Sequence, residues 1–236
     1  MALRHLDVDG LANARDLGGL ARTGGATTPT GVFFRSEALD RVTDDGWAAL
    51  CALGVTTVVD LRRPEERTAA VPDGIDRVVV DLDGTDRGFW DPLEADGRWG
   101  TPLYYLDHLE RMPGRMRAVL DALVAAREGA VLFHCGAGWD RTGFVSAVLL
   151  RALDVTTEAA AADYLASFGN AEAMESLRGS SSHVTERLAV LERHGHTPES
   201  AFTAVYEGID LDAWFAAADV SAAARAGVRT WRGAVA

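Results

Sequence analysis

Lysine is absent from this 236-residue chain: all 23 basic residues are arginine, set against 35 acidic ones for a formal net charge of -12. An acidic balance of that size excludes general nucleic-acid binding, where a basic face supplies most of the affinity. It also means that an anion site has to assemble its positive field locally. Cysteine is scarce, with only Cys51 and Cys135, too few for a disulfide scaffold or a multi-thiolate metal centre. No apolar run approaches the about 20 residues of a membrane-spanning helix. The start, Met1 to Gly10, carries Arg4, Asp7 and Asp9 and lacks the apolar core of a signal peptide. A cytoplasmic location is therefore expected, with secretion by another route left open.

What is present is an alternation of strand and helix patterns. Val32 to Arg35, Val55 to Leu61, Arg77 to Leu82 and Ala130 to Phe133 read as short strands. Between them, Thr43 caps a helix that Gly54 stops, with Cys51 expected on its buried face, and Pro113 opens a second helix ending before Gly129. The stretch from Asp83 to Gly100 reads as irregular. Beyond Thr156 only helical patterns occur, at Thr157 to Phe168, Ser182 to Arg193 and Pro198 to Glu207, with shorter pieces after Asp210. The expected fold class is α/β, a mainly parallel central sheet flanked by helices, with extra C-terminal helices. One domain is expected over 1–236: an α/β core at 11–155, a candidate lid insertion at 83–112 and a helical layer at 156–236.

The chemistry concentrates in Phe133-His134-Cys135-Gly136-Ala137-Gly138-Trp139-Asp140-Arg141-Thr142-Gly143. A strand precedes this run and a helix follows it, so a glycine-rich turn presents backbone N–H groups at a helix N-terminus, an anion site. A cysteine opening that turn feels the same field, which favours its thiolate. Arg141, in the first helical turn, can aim a planar fork at two phosphate oxygens. Gly136, Ala137, Gly138, Trp139 and Thr142 complete the expected phosphate cradle. His134 is expected to order the loop. Asp140 is a candidate general acid, because an aspartate beside a bound phosphate is unwelcome unless it carries a proton. Such a site works through a phosphocysteine and needs neither metal nor cofactor.

The Cys-x5-Arg pattern resembles the protein tyrosine phosphatase superfamily. Asn13-Ala14-Arg15-Asp16-Leu17-Gly18-Gly19, Phe34-Arg35-Ser36 within 31–39, and Asp60-Leu61-Arg62 after Leu53-Gly54-Val55 are similar to the bacterial tyrosine and lipid phosphatases of the secreted mycobacterial and listerial type. The resemblance implies a Cys-loop phosphatase fold with Cys135 as nucleophile and Arg141 as clamp, and, since the superfamily often delivers its acid from a separate loop, Asp83, Asp86 and Asp91 as rivals to Asp140. Arg15, Asp16, Arg35 and Arg62 are expected in supporting positions: the three arginines either as ordinary surface or ion-pair residues or in direct substrate contact, with Arg15 and Arg62 also able to add to the positive field, and Asp16 as part of the shared motif. Trp139 stands where that family usually has lysine, and Gly138 to Thr142 resembles the myotubularin loop. Trp139 is expected to stack on an aromatic leaving group or wall the pocket. Expected substrates are phosphotyrosine proteins first and phosphoinositides second. A phosphate-binding pseudophosphatase and a rhodanese-like sulfurtransferase are the other readings, and the sequence leaves the oligomeric state undetermined.

Overall fold

The structure is a computed structural model that describes residues 4–67, 71–179 and 183–235. Among the described residues five strands form one sheet: β1 Arg15–Asp16, β2 Phe33–Ser36, β3 Val55–Asp60, β4 Asp76–Val79 and β5 Ala130–His134. Their spatial order is β1-β2-β5-β3-β4. The pairs β2/β5, β5/β3 and β3/β4 are parallel, and only the short β1 runs antiparallel. Successive side chains leave a strand on opposite faces, and both faces here are covered. Phe33, Val59, Val131 and Phe133 enter a large core on one side, and Phe34, Val58 and Leu132 a smaller one on the other. The apolar runs of β2, β3 and β5 reflect this two-sided burial.

The helices are α1 Asp44–Ala52, α2 Arg87–Asp96, α3 Tyr105–Arg111, α4 Pro113–Ala125, α5 Asp140–Ala152 and α6 Thr157–Gly169. There follow α7 Ala171–Arg178, α8 Val184–Arg193, α9 Pro198–Gly208, α10 Leu211–Ala217 and α11 Ala222–Arg229. Helix α5 is buried from Asp140 to Leu150, which explains its nearly unbroken apolar sequence. The C-terminal helices share the larger core: Trp231 meets Phe33 of β2 edge-on at 4.7 Å between ring centroids. Among the described residues no helix is long and apolar enough to cross a membrane.

Three expectations need correction. The stretch from Asp83 to Gly100 is largely helical, because the Asp86 carboxylate caps the amide of Phe89 and Gly97 closes α2 at φ +84. Pro92 lies inside that helix and lacks the N–H that would bond the carbonyl four residues back. Burial of Phe89, Trp90 and Leu93 outweighs that loss. Cys51 is exposed rather than core. Of α1, only Gly46 and Leu50 are buried, and Cys51 points about 100° away from Leu50. Helix α7, unmarked in the sequence reading, follows α6 at Asn170. The expected start at Ser182 lies outside the described residues.

The parallel register brings Ser36 and Asp60 level with His134. The segments leaving the C-terminal ends of β2, β3 and β5 thus emerge side by side, where open α/β sheets gather ligands.

Candidate active site

Cys135 follows the last residue of β5, and α5 begins at Asp140. Between them the loop presses against the end of β2. A Cβ on Gly138, at φ +65, would lie 2.4 Å from backbone atoms of Ser36 and Glu37, so both the space and the conformation require glycine.

The loop's shape is fixed through its carbonyls. His134 Nδ1 sits 3.1 Å from the Cys135 carbonyl. The Gly136 carbonyl accepts from the Ala38 amide at 2.9 Å and from Arg178 at 3.2 Å. Asn13 Nδ2 donates to the carbonyls of Ala137 at 3.0 Å and Gly138 at 3.2 Å, and Arg35 donates to Gly138 at 2.9 Å. In a trans peptide the C=O and N–H point in opposite directions, and the described residues contain no cis bond. With four successive carbonyls tied outward, the amides of Gly136, Ala137, Gly138 and Trp139 turn inward as an anion cup.

A buried ion cluster holds the donors of three of those ties, Arg35 directly and Asn13 through Arg15. The Asp163 carboxylate on α6 receives Arg4 at 2.8 Å, Arg15 at 3.0 Å and Arg35 at 2.5 Å. Burial pushes the Asp163 carboxyl up, but the guanidinium groups of Arg15, Arg35 and Arg4 outweigh it and hold the group below the usual carboxylate range. Burial, with help from Arg35, lowers Arg15 to about 10. Arg15 also donates to Asn13 Oδ1 at 2.7 Å. Three guanidinium groups on one carboxylate leave an excess of positive charge behind the cup. Removing that carboxylate in Asp163→Ala is expected to cost about 3–5 kcal/mol of stability, because buried arginines lose their counter-ion. The native group is ionised above the ordinary carboxylate pKa, so this difference should be full at neutral pH and shrink in strong acid. Urea unfolding of both proteins at neutral and acid pH measures it, and equal stabilities at neutral pH would refute it.

Arg141 arches back toward the loop: its Nη2 lies 3.9 Å from where a Cβ on Gly136 would stand. Glu66 grips it end-on, with Nη1 to Oε2 and Nη2 to Oε1 both 2.6 Å, and Nη1 also reaches Asp83 at 3.3 Å. Of its five donors, these contacts leave the Nε–H and one Nη2–H, the side-on edge that matches two phosphate oxygens. Burial works against the Arg141 charge, but the hydrogen bonds it donates to Glu66, with the nearby Cys135 and Asp83, hold its pKa well above the ordinary value.

Asp140 is buried at the first turn of α5 and accepts Tyr104 at 2.7 Å and Tyr105 at 3.0 Å. Burial pushes its carboxyl up to about 6, although Arg187, Tyr104 and Tyr105 all pull it down. Asp83 is likewise raised by burial despite Arg141 and Arg63. Asp86 caps α2 and pairs with Arg111, while Asp91 is exposed and pairs with Arg87. His134 is buried and its pKa is lowered by that burial to about 4, so the ring is neutral. Thr142 is buried, and its Oγ1 has no hydrogen-bond partner among the described residues.

Several expected roles shift. Arg15 and Arg35 bind Asp163, and Arg62 binds Asp60 and Asp40, so all three are buried in ion pairs and unavailable for direct substrate contact. The Asp16 carboxylate is held by the amides of Gly18 and Gly31 in a turn. The Trp139 ring is fully buried, edge-on to Phe168 at 4.1 Å and beneath Arg187 at 4.9 Å, where no leaving group can stack on it. Glu66, Asn13, Asp163, Tyr104 and Tyr105 were missed as site-building residues. A charged residue within the alanine-rich run of α6 was the one signal for Asp163.

A strand-to-helix cysteine loop with outward carbonyls and a clamped arginine defines the class of cysteine-based phosphatases. The chain belongs to the tyrosine phosphatase family, whose model matches residues 6–230. It is 36% identical over 200 residues to the triple specificity protein phosphatase PtpB of Mycobacterium tuberculosis, covering 71% of this chain and 70% of that one. A Cupriavidus necator protein carrying a provisional tyrosine-protein phosphatase name is 35% identical over 175 residues, covering 70% of this chain and 63% of that one. A solved structure of P. aeruginosa TpbA in complex with pTyr covers 67% of this chain and 85% of that one, at 23% identity and a TM-score of 0.37.

Proposed function

We propose that this protein hydrolyses phosphotyrosine in proteins through a phosphocysteine on Cys135. The observation that carries the reading is the loop itself: a cysteine at the mouth of a cup of inward amides, under the free edge of Arg141. The Cys135 thiolate attacks phosphorus and forms the S–P bond as the P–O bond to tyrosine breaks. The cup amides and Arg141 hold the charge on the three non-bridging oxygens. Asp140 gives its proton to the departing phenolate oxygen and becomes a carboxylate. In the second step that carboxylate takes a proton from water, whose oxygen attacks phosphorus, and the S–P bond breaks to release inorganic phosphate and the thiolate. The positive charge comes from the chain itself, so turnover is expected to persist in the presence of a chelator.

Substrate preference follows from position 139. With an indole buried there instead of a lysine, the loop offers no side-chain ammonium to a second phosphate, which favours a singly phosphorylated residue over a phosphoinositide headgroup.

An acid with a pKa of about 6 is effective only while protonated, so turnover should fall as pH rises through that value. Asp140→Asn should lower kcat on a phosphotyrosine peptide by about 10²-fold and flatten this alkaline limb. The pH–rate profiles of both proteins check it. A variant profile that keeps the wild-type limb would remove Asp140 from the role.

A further inference from the structure

The segment 83–112 holds the rival candidates for the acid, yet Asp83 is tied to Arg63 and Arg141, and the carboxylates of Asp86 and Asp91 are engaged on the outside of α2. What it delivers to the site instead is two phenols. Tyr104 Oη donates to Asp140 Oδ2 at 2.7 Å. Tyr105 Oη lies 3.0 Å from Oδ1 and 2.8 Å from the Asp140 carbonyl. Both rings are buried, and both are anchored: Tyr104 meets Trp90 edge-on at 5.2 Å, and Tyr105 stacks on Phe144 of α5 at 4.5 Å. Trp90 is in turn tied by its indole N–H to the Asp83 carbonyl at 2.9 Å.

We propose that Tyr104 and Tyr105 are positioning residues that hold Asp140 pre-set as the acid, in place of an acid carried in by loop closure. The proposal rests on Asp140 being the acid and adds how it is aimed and tuned. Each phenol has one proton to give. Tyr104 bonds only Oδ2, which accepts whether or not the other oxygen is protonated. Tyr105 has two acceptors within reach. It can donate to Oδ1 while the carboxyl is ionised, and turn to the Asp140 carbonyl when Oδ1 carries the proton. The carboxyl therefore has a bonded partner in both halves of the cycle, and its plane stays fixed while the proton comes and goes.

The other groups that face it are Arg187 from α8, Asp83 after β4 and Tyr164 from α6. Arg187 favours the ionised carboxyl, as do the phenol hydrogen bonds, whereas Asp83 opposes it. Loss of a phenol donor therefore weakens the ionised form selectively and raises the pH at which the proton is lost.

The test compares wild type, Tyr104→Phe, Tyr105→Phe and Asp140→Asn across pH, on a phosphotyrosine peptide and on p-nitrophenyl phosphate. Both Phe variants keep the ring packing and lose only the hydroxyl. Tyr104→Phe should move the alkaline limb upward by about one pH unit, the size of shift a donor to a charged group supports. It should also slow the peptide more than the nitrophenyl ester, because the better leaving group relies less on the acid. A phenol that merely filled space would slow both substrates alike and leave the limb in place. If Asp140→Asn loses the limb while both Phe variants keep it at the wild-type pH, the positioning proposal is overturned and the acid assignment stands. If Asp140→Asn itself keeps the limb, both are overturned. If Tyr104→Phe does not fold, the limb of Tyr105→Phe decides by the same criterion.

Discussion

Cys135→Ser should lose turnover by a factor of about 10⁴ or more, the scale seen when a covalent nucleophile is removed. A serine hydroxyl is a far weaker nucleophile at neutral pH, and Asp140 has to carry its proton as the acid in this step, so it cannot serve the serine as a base; His134 spends Nδ1 on the Cys135 carbonyl and turns Nε2 toward Asp60, 3.9 Å away. The rest of the cup does not depend on sulfur. Its carbonyl ties run to Asn13, Arg35, Ala38 and Arg178, and Arg141 is gripped by Glu66. The variant should therefore still bind a phosphotyrosine peptide, so calorimetric titration should show binding where kinetic assays show none. Loss of both would place Cys135 among the residues that hold the fold. Retained turnover would contradict a cysteine nucleophile.

Arg141→Lys is the second large effect, despite unchanged formal charge. An ammonium cannot offer the side-on pair of donors to phosphate while also bonding Glu66 and Asp83. A loss of about 10²- to 10³-fold in kcat/KM is expected, as for removal of a transition-state donor. Asp83 is 1% exposed, and the variant would leave it leaning on Arg63 alone. The melting temperature should therefore fall too. Arg141→Lys paired with Glu66→Gln separates the two effects: relieving the surplus carboxylate should recover stability without recovering rate. A lysine variant within a few-fold of wild type would show that charge alone suffices and that the fork geometry is irrelevant.

The parts of this site that could be read in the sequence are those whose geometry is local. Cys135, Gly138 and Arg141 lie within one turn, and the strand before and helix after them fix their arrangement. The two-faced strands were visible because burial on both faces writes a continuous apolar run in β5 and a run of β-branched residues in β3. Glu66 reaches Arg141 across 75 residues, and Asp163 meets Arg35 across 128. Nothing in the local pattern of either carboxylate marks such a partner. Arg15, Arg35 and Arg62 could be read either as ion-pair arginines or as part of the substrate site, and the structure gives them the ion-pair role, because a sequence shows a cation without showing the buried carboxylate that engages it. Trp139 was misread for a related reason: a residue inside a binding loop can turn its backbone to the ligand and its ring to the core. The helix at Arg87–Asp96 was obscured by Pro92 and by glycines that mark its closure rather than disorder.

The central claim is that phosphate passes through Cys135, and rapid-quench mass spectrometry tests it most directly. Wild-type protein mixed with phosphotyrosine peptide and quenched in acid should carry one phosphoryl group, on the peptide fragment containing Cys135. That species should form as dephosphorylated peptide is released and decay as inorganic phosphate appears. Dephosphorylated peptide accumulating at full rate with no phosphoryl group ever present on Cys135 would contradict the account.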